Sequence, residues 1–418
     1  MRILLLHNYY GSSAPSGENT AFDEECELLR NAGHEVHAFV KHSDRIIARG
    51  LYGKIEAGIR VPWNSRVIDE VVGVAKDFAP DVIHVHNTFP TFSPGVFSAL
   101  SAQSAAIVCT LHNFRYVCAS AMLSRQGLPC TLCLEKRSVL PALRHRCYRD
   151  SFIDTVPLAF SIALHRRLDT FNRNVDAFIT LTPFQKAKFV EAGFRESSLH
   201  LRPPFYAAAP AAIPWSERRN TVTYLGRLGT EKGVDILVAA WLKWGKDAPP
   251  LDIIGDGPEG ARLRDQIGES TRSGNIRFLG SLPFHEAQKL LASSKLLVIP
   301  SRVFEGYPMV AREAFALGVP VIASDIGSLR DIIERGVGDR FEAGNAPALL
   351  EAARRNWSDQ QQLRRLSMEA KNKYERELSP ATSLRKLEEI YATAIDARKA
   401  RAVNVRLLRR VKYDGVPR

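Results

Sequence analysis

SRVFEGYPMVAREAFALGVPVIA, residues 301–323, is the stretch from which the chain is read. The run KLLVIP at 295–300 leads into it and reads as a buried parallel strand. Glu305-Gly306 is a turn, and Pro308 suits the first turn of a helix, where its missing N–H would be unbonded anyway. Gly318 suits the position just past the helix end, and 319–323 is the next strand. The free backbone N–H groups of Gly306, Tyr307, Met309 and Val310 would face an anion at the helix start. Glu313, about one turn into the helix, is placed to accept two hydrogen bonds from a vicinal diol such as a ribose offers. Glu305, at the strand end, can do the same for sugar hydroxyls.

Two glutamates at this spacing arise by chance on many helices, and the flanking strand, both glycines and Ser324-Asp325 add the context. With them, the stretch resembles the retaining glycosyltransferases of family 4. That resemblance implies a GT-B fold: α/β, two doubly wound Rossmann-like domains facing a central cleft.

The rest of the sequence is compatible with such a fold. At 418 residues two domains are expected, and 45% apolar with 24% charged residues is ordinary for a soluble globular chain. No apolar run approaches the roughly eighteen residues of a transmembrane helix. The opening MRILLLHNYY reads as a first strand, because its apolar stretch is short and no small-residue cleavage site follows. A cytoplasmic chain with reduced cysteines is therefore expected. Strands at 3–7, 35–40, 82–86, 107–111, 176–181 and 199–202 alternate with helical periods such as 20–31, 67–78 and 184–192. Pro203-Pro204 and the Ala/Pro-rich 207–214 break the pattern, which restarts at 222–225, 251–254, 276–279, 296–299 and 319–323. The expected domains are 1–205 on the acceptor side and 206–378 on the nucleotide-sugar side, then a terminal helix over 382–395, inside 379–396, that crosses back to the first domain, and a basic tail, 397–418.

TYLGRLGTEKGVD at 223–235 brings Arg227 and Lys232 to the end of the second domain's first strand. A diphosphate leaving group needs positive charge there as its bond to the sugar breaks. The resemblance assigns these two residues that role, Glu313 the ribose and Glu305 the sugar. There is no D-x-D sequence, so no metal is expected to be required for catalysis. Gly255-Asp256-Gly257-Pro258 is either a backbone approach to the nucleotide base or a structural turn. Pro15-Ser16-Gly17-Glu18 matches the family's glycine loop loosely, with Gly17 permitting close approach of backbone to the donor diphosphate or to the acceptor. His112, in TLHN, matches the family's histidine near the transferred sugar and is read as positioning that sugar, not as a nucleophile. His7, His84 and His86 also stand at strand ends, where a single histidine is more often structural.

Cys118, Cys130, Cys133 and Cys147 form C-x11-C-x2-C-x13-C within a basic block, 113–150, expected to roof the acceptor side. This spacing suits structural zinc, an iron–sulfur cluster less well, and four unligated thiols equally. Cys26 and Cys109 read as core residues.

The net charge is +12, of which the last twenty-one residues, 398–418, contribute +7. Arg406, Leu407, Leu408, Arg409, Arg410 and Val411 mix basic and apolar side chains, which suits either an anionic membrane surface or a solvated tail. No nucleic-acid motif occurs, so nucleic acid is not an expected partner. The expected function is transfer of a sugar from a UDP- or GDP-type donor to a saccharide or lipid-linked acceptor. Another GT-B reaction, such as nucleotide-sugar epimerisation or hydrolysis, and a non-catalytic scaffold are the alternatives.

Overall fold

The run RILLLHNY alternates apolar side chains onto both faces of a strand, so it can only be an inner strand covered on both sides. In the computed structural model it is β1 (Arg2–Tyr9), flanked by β2 (Glu35–His42) and β3 (Val82–Val85). The described residues are 1–11, 16–44, 50–207, 210–268 and 275–413, with side chains of the last run described to 403. β4 (Ala106–Thr110), β7 (Ala177–Thr180) and β8 (Leu199–Leu201) complete a parallel sheet of order β2-β1-β3-β4-β7-β8. A small hairpin, β5 (Ser124–Arg125) and β6 (Leu128–Pro129), stands apart from it.

The second half repeats the pattern with β9 (Val222–Leu225), β10 (Leu251–Ile254), β11 (Ile276–Gly280), β12 (Leu296–Ile299), β13 (Val321–Ser324) and β14 (Gly338–Phe341). Its order is β11-β10-β9-β12-β13-β14, all parallel. In each sheet the order reverses beside the first strand, which opens a crevice at the carboxyl ends there. β13 starts two residues later than its sequence suggests. Pro320 has no N–H to pair and offers only its carbonyl, to Leu297 N at 3.0 Å. β14 (GDRF) was not anticipated, because a short charged edge strand has no apolar run to mark it.

The last helix is longer than the expected 382–395 and runs Pro380–Tyr413. Leu387, Ile390, Tyr391 and Ala394 form one stripe, packed on Ile3, Leu5, Val82 and Val108 of the first sheet. The helix continues because later residues have partners. Arg398 donates to the carbonyls of Ser101 and Gln103 at 2.6 Å each, and Arg401 pairs with Asp176 at 3.1 Å. Two of the cations counted in the basic tail are thus docking residues. The side chains of Arg406–Val411 lie outside the described residues, as does Pro15. Cys26 and Cys109 are both in the core.

Beneath this helix lies a polar chain. Tyr391 Oη is 2.8 Å from His84 Nδ1, Glu25 Oε1 is 3.0 Å from both His84 Nδ1 and His86 Nε2, and Arg202 donates to Glu25 Oε2 at 2.5 Å. Burial lowers His84 to about 4 and His7 to about 3. Burial pushes the Glu25 carboxyl up, but Arg202, His84 and His86 outweigh it and hold it well below its usual range.

These shifts set a pH window. Between the ordinary histidine value near 6.5 and the folded value near 4, the unfolded chain takes up a proton that folded His84 refuses. Stability is therefore full above about pH 6.5 and falls toward pH 4, on the order of 1 kcal/mol per pH unit for each such histidine. Urea midpoints at neutral pH and near pH 5 check this. His84→Asn should flatten the slope, and a midpoint independent of pH across that window would contradict it.

Candidate functional site

The crevice of the second sheet lies between β9 and β12, and the loops that leave these two strands meet there. After β9, the short turn Thr230–Lys232 brings Lys232 back over the strand ends. After β12, Glu305 comes up from the other side, with Lys232 Nζ at 2.7 Å from Glu305 Oε1. Ser301 Oγ donates to the same oxygen at 2.7 Å. Desolvation raises the Glu305 carboxyl, but the charge and hydrogen bond of Lys232, then Ser301 and Arg227, hold it below the usual range. Glu305 is therefore an ionised acceptor at neutral pH. Arg227 is exposed, pairs with Glu231, and is close enough to act on Glu305 through its charge.

Gly255 and Gly257 pack against this loop. A Cβ at Gly255, where φ is +130°, would stand 2.0 Å from the Gly226 carbonyl, so only glycine lets the two turns nest. That is a structural role within the half, the second of the two readings the sequence left open.

The helix after Glu305 is Met309–Ala316. Pro308 is the residue before it rather than in its first turn, because its ψ of 116° is extended. No side chain caps the helix, so the first-turn N–H groups of Met309 and Val310 stay open to the cleft. The side chains of Tyr307 and Val310 pack into the core beneath. Glu313 is buried and accepts from Gln288 Nε2 at 2.6 Å, while Gln288 Oε1 accepts from Tyr206 Oη at 3.1 Å. Burial raises the Glu313 carboxyl despite the charge of Arg312 and the bond from Gln288. The Gln288 support was missed in the sequence. A fully buried glutamine on the apolar face of Phe284–Ala292 is the only signal it leaves.

The first half closes on this helix from the other side. A Cβ on Gly306 would meet the His112 carbonyl oxygen at 2.5 Å, so glycine is what lets the two loops touch. Gly17, at the start of Gly17–Asn31, lies under Met309, whose Cγ would be 2.9 Å from a Cβ there. Arg312, almost wholly buried, reaches across to Glu24 with bonds of 2.6 and 3.2 Å. Further along, Thr182 Oγ1 is 2.9 Å from Ser328 Oγ.

His112 is held from behind. Its Nε2 is 3.1 Å from His86 Nδ1, and His86 Nε2 is 3.0 Å from Glu25 Oε1. Because ionised Glu25 can only accept, His86 donates to it from Nε2, and His86 Nδ1 is left to hold His112 Nε2. Desolvation, then the charges of His86 and His7, keep His112 well below the ordinary histidine value. It is a neutral imidazole at neutral pH. Glu18, beside it, accepts from Asn113 and from Asn87 Nδ2, the latter at 3.3 Å, and desolvation raises its carboxyl.

The block 113–150 does overhang the cleft. The tip of the β5–β6 hairpin reaches the loop after β9, where a Cβ on Gly127 would lie 3.6 Å from Thr230 Cγ2. Its four cysteines are unpaired, and Cys133 and Cys147 share a small apolar cluster with Ala119, Ala142 and Leu158. Burial, then the neighbouring thiols, push both Cys133 and Cys147 up to about 11. Among the described residues, only Glu25, His84 and His86 form a trio with ligand atoms within 4.8 Å, so the sulfurs stand wider than a bound set. The Glu25 trio is already neutralised by Arg202 and bonded to Tyr391, Thr110 and His112, which leaves no lone pair arrangement aimed at a cation.

Residues 15–207 match the family described as Glycosyltransferase Family 4, and residues 207–373 match Glycosyl transferases group 1. The two matches meet in the break between the sheets. A putative teichuronic acid biosynthesis glycosyltransferase, TuaC of Bacillus subtilis, is 26% identical over 85% of this chain and 89% of its own. A phosphatidyl-myo-inositol mannosyltransferase of Mycolicibacterium smegmatis is 26% identical over 79% of this chain and 78% of its own. Among solved structures, Anabaena HepE in complex with UDP superposes with a TM-score of 0.61 at 18% identity, over 94% of this chain and all of that one. Sucrose-phosphate synthase of Thermosynechococcus elongatus gives a TM-score of 0.67 at 19% identity, over 95% of this chain and 100% of that one. Two facing parallel sheets, a cleft at both points of order reversal and matches running from residue 15 to 373 make this chain a GT-B glycosyltransferase of group 1, family 4.

Proposed function

We propose that the enzyme transfers a hexosyl group, with retention, from a UDP- or GDP-type sugar to a saccharide or lipid-linked acceptor in polysaccharide or glycoconjugate synthesis. The observation that carries this reading is the Lys232–Glu305 pair beneath an uncapped helix start and opposite a neutral His112. The bound UDP of the HepE structure and the lipid named for the mannosyltransferase relative favour the same substrate classes.

The diphosphate lies along the start of Met309–Ala316, where N–H groups and the helix dipole favour an anion. Lys232 and Arg227 stabilise the charge that grows on the leaving oxygen. Glu313 accepts from the ribose diol and Glu305 from hydroxyls of the sugar. The sugar passes through a state with positive character at its reacting carbon, and an imidazolium at His112 would oppose that charge. Burial keeps His112 neutral, and the Glu25–His86 chain holds its ring in place. The departing diphosphate takes the acceptor's proton on the same face. Lys232, Arg227 and the helix start supply the positive charge without a required metal. Closure of the two halves excludes water. No helix among the described residues is long and apolar enough to cross a membrane, and the enzyme is proposed to work at the cytoplasmic face, with its basic C-terminal segment as one contact to anionic lipid.

The donor site is tested by thermal shift with nucleoside diphosphates. One of UDP and GDP should stabilise the protein, by about 2.7 kcal/mol at a hundredfold excess over Kd. Glu313→Ala should abolish that shift, and Lys232→Ala should lower kcat on the order of 10²–10³-fold. No shift with any nucleotide on folded protein would favour the scaffold reading, and rapid release of free sugar without acceptor would favour a hydrolase.

The four clustered thiols are proposed to hold one structural zinc, with the ion drawing Cys118, Cys130, Cys133 and Cys147 together. Metal analysis of the purified protein should find about one zinc per chain, absent from Cys130→Ser/Cys133→Ser. Metal-free wild-type protein with four titratable thiols in the block would refute it.

A further inference from the structure

The outer face of the first half carries apolar side chains in a position where a soluble helix shows polar ones. Helix Gly50–Arg60 exposes Ile55 and, at 75%, Ile59. Helix Phe152–Arg167 exposes Phe152, Phe160 and, at 81%, Ile153. The inward side of that second helix is already spent on the core through Leu158 and Ile162, so these outward side chains are a second apolar face. The helices lie against each other, with Pro157 Cγ 3.4 Å from where a Cβ on Gly58 would be. Leu140, 69% exposed, heads the adjoining short helix Leu140–Arg144. The surface is therefore one contiguous patch, larger than scattered surface residues make.

Its rim is basic. Residues 136–149 hold Lys136, Arg137, Arg144, Arg146 and Arg149 and no acidic residue. The one acid on Phe152–Arg167 is Asp154 in its first turn, where the helix field favours it. A second copy of the chain meeting this patch across a two-fold axis would set arginine against arginine. An anionic bilayer takes both features together, the apolar residues at the acyl boundary and the cations at the lipid phosphates.

We propose that this face docks the enzyme on an anionic membrane surface, independently of the basic C-terminal segment. Behind the patch, an apolar pocket lined by Leu158, Ile162 and Val61 shares Thr88, Phe89, Arg115 and Tyr116 with the pocket that holds His112. On the transferase reading above, docking places the wall behind His112 next to the bilayer.

The test is flotation of the full chain with phosphatidylcholine vesicles containing about one-third phosphatidylglycerol, and with phosphatidylcholine alone. The wild type should float with the anionic vesicles and less in about 0.5 M salt. Ile59→Ser/Ile153→Ser/Phe160→Ser should reduce flotation about tenfold or more, while a chain ending at Val403 keeps most of it. The triple variant should keep the nucleotide-induced thermal shift, so that a docking defect is distinct from a donor-site defect. Flotation unchanged in the triple variant, equal flotation with neutral vesicles, or loss of flotation on removing 404–418 alone would overturn the proposal. So would a wild-type dimer by light scattering that the triple variant converts to monomer.

Discussion

A reversal of strand order beside β9 is the constraint on which the donor side depends. β12 lies next to β9 although the whole of β10 and β11 intervenes in sequence, so the loops after β9 and β12 leave in different directions. The crevice between them receives Lys232 from one loop and Glu305 from the other. Their contact at 2.7 Å solves a problem each would have alone, an ammonium and a carboxylate brought out of water. It also leaves both ready for exchange. On the proposed function a donor diphosphate takes over Lys232 while sugar hydroxyls take over Glu305, and neither charge has to be created at the moment of binding.

The first half depends on a different solution. Burial keeps His7, His84 and His112 of its cleft wall neutral, and one ionised carboxylate, Glu25, holds His84 and His86. Arg202 balances Glu25, His86 links it to His112, and His84 ties the same carboxylate to Tyr391 on the terminal helix. The helix that follows the second half thus becomes part of the support for His112 of the first. The halves meet where side chains are absent, at Gly306 against His112 and at Gly17 against Met309, and are joined by Arg312 and Glu24.

Much of this was legible in the sequence, for physical reasons. Apolar runs buried on both faces mark inner parallel strands, and the Gly-Arg and Glu-Gly turns after β9 and β12 mark the loops with the chemistry. Two separate stretches, 223–235 and 301–323, supplied Lys232 and the pair Glu305-Gly306, and the fold brings them into contact with each other or with His112. What the sequence hid are partnerships between distant residues. Gln288 under Glu313, Glu25 behind His86, and Asp176 beneath Arg398 and Arg401 each join elements far apart in the chain, and no local pattern encodes them. The C-terminal charge was misread in part for the same reason, since Arg398 and Arg401 look like tail residues until Asp176 is placed. β14 was missed because an edge strand with Asp339 and Arg340 carries no apolar run. The outward apolar face of Phe152–Arg167 was also silent, because an apolar helix reads as core until its neighbours are known.

The central claim is that the diphosphate departs toward Lys232 and the acceptor oxygen replaces it on the same face of the sugar. Proton NMR of the sugar released slowly into water from the donor that the protein binds, read before the anomers interconvert, tests it without knowing the acceptor. An α-linked donor should give the α anomer first, with the rate lowered on the order of 10²–10³-fold in Lys232→Ala. The β anomer as first product, or an unchanged rate in Lys232→Ala, would contradict the account.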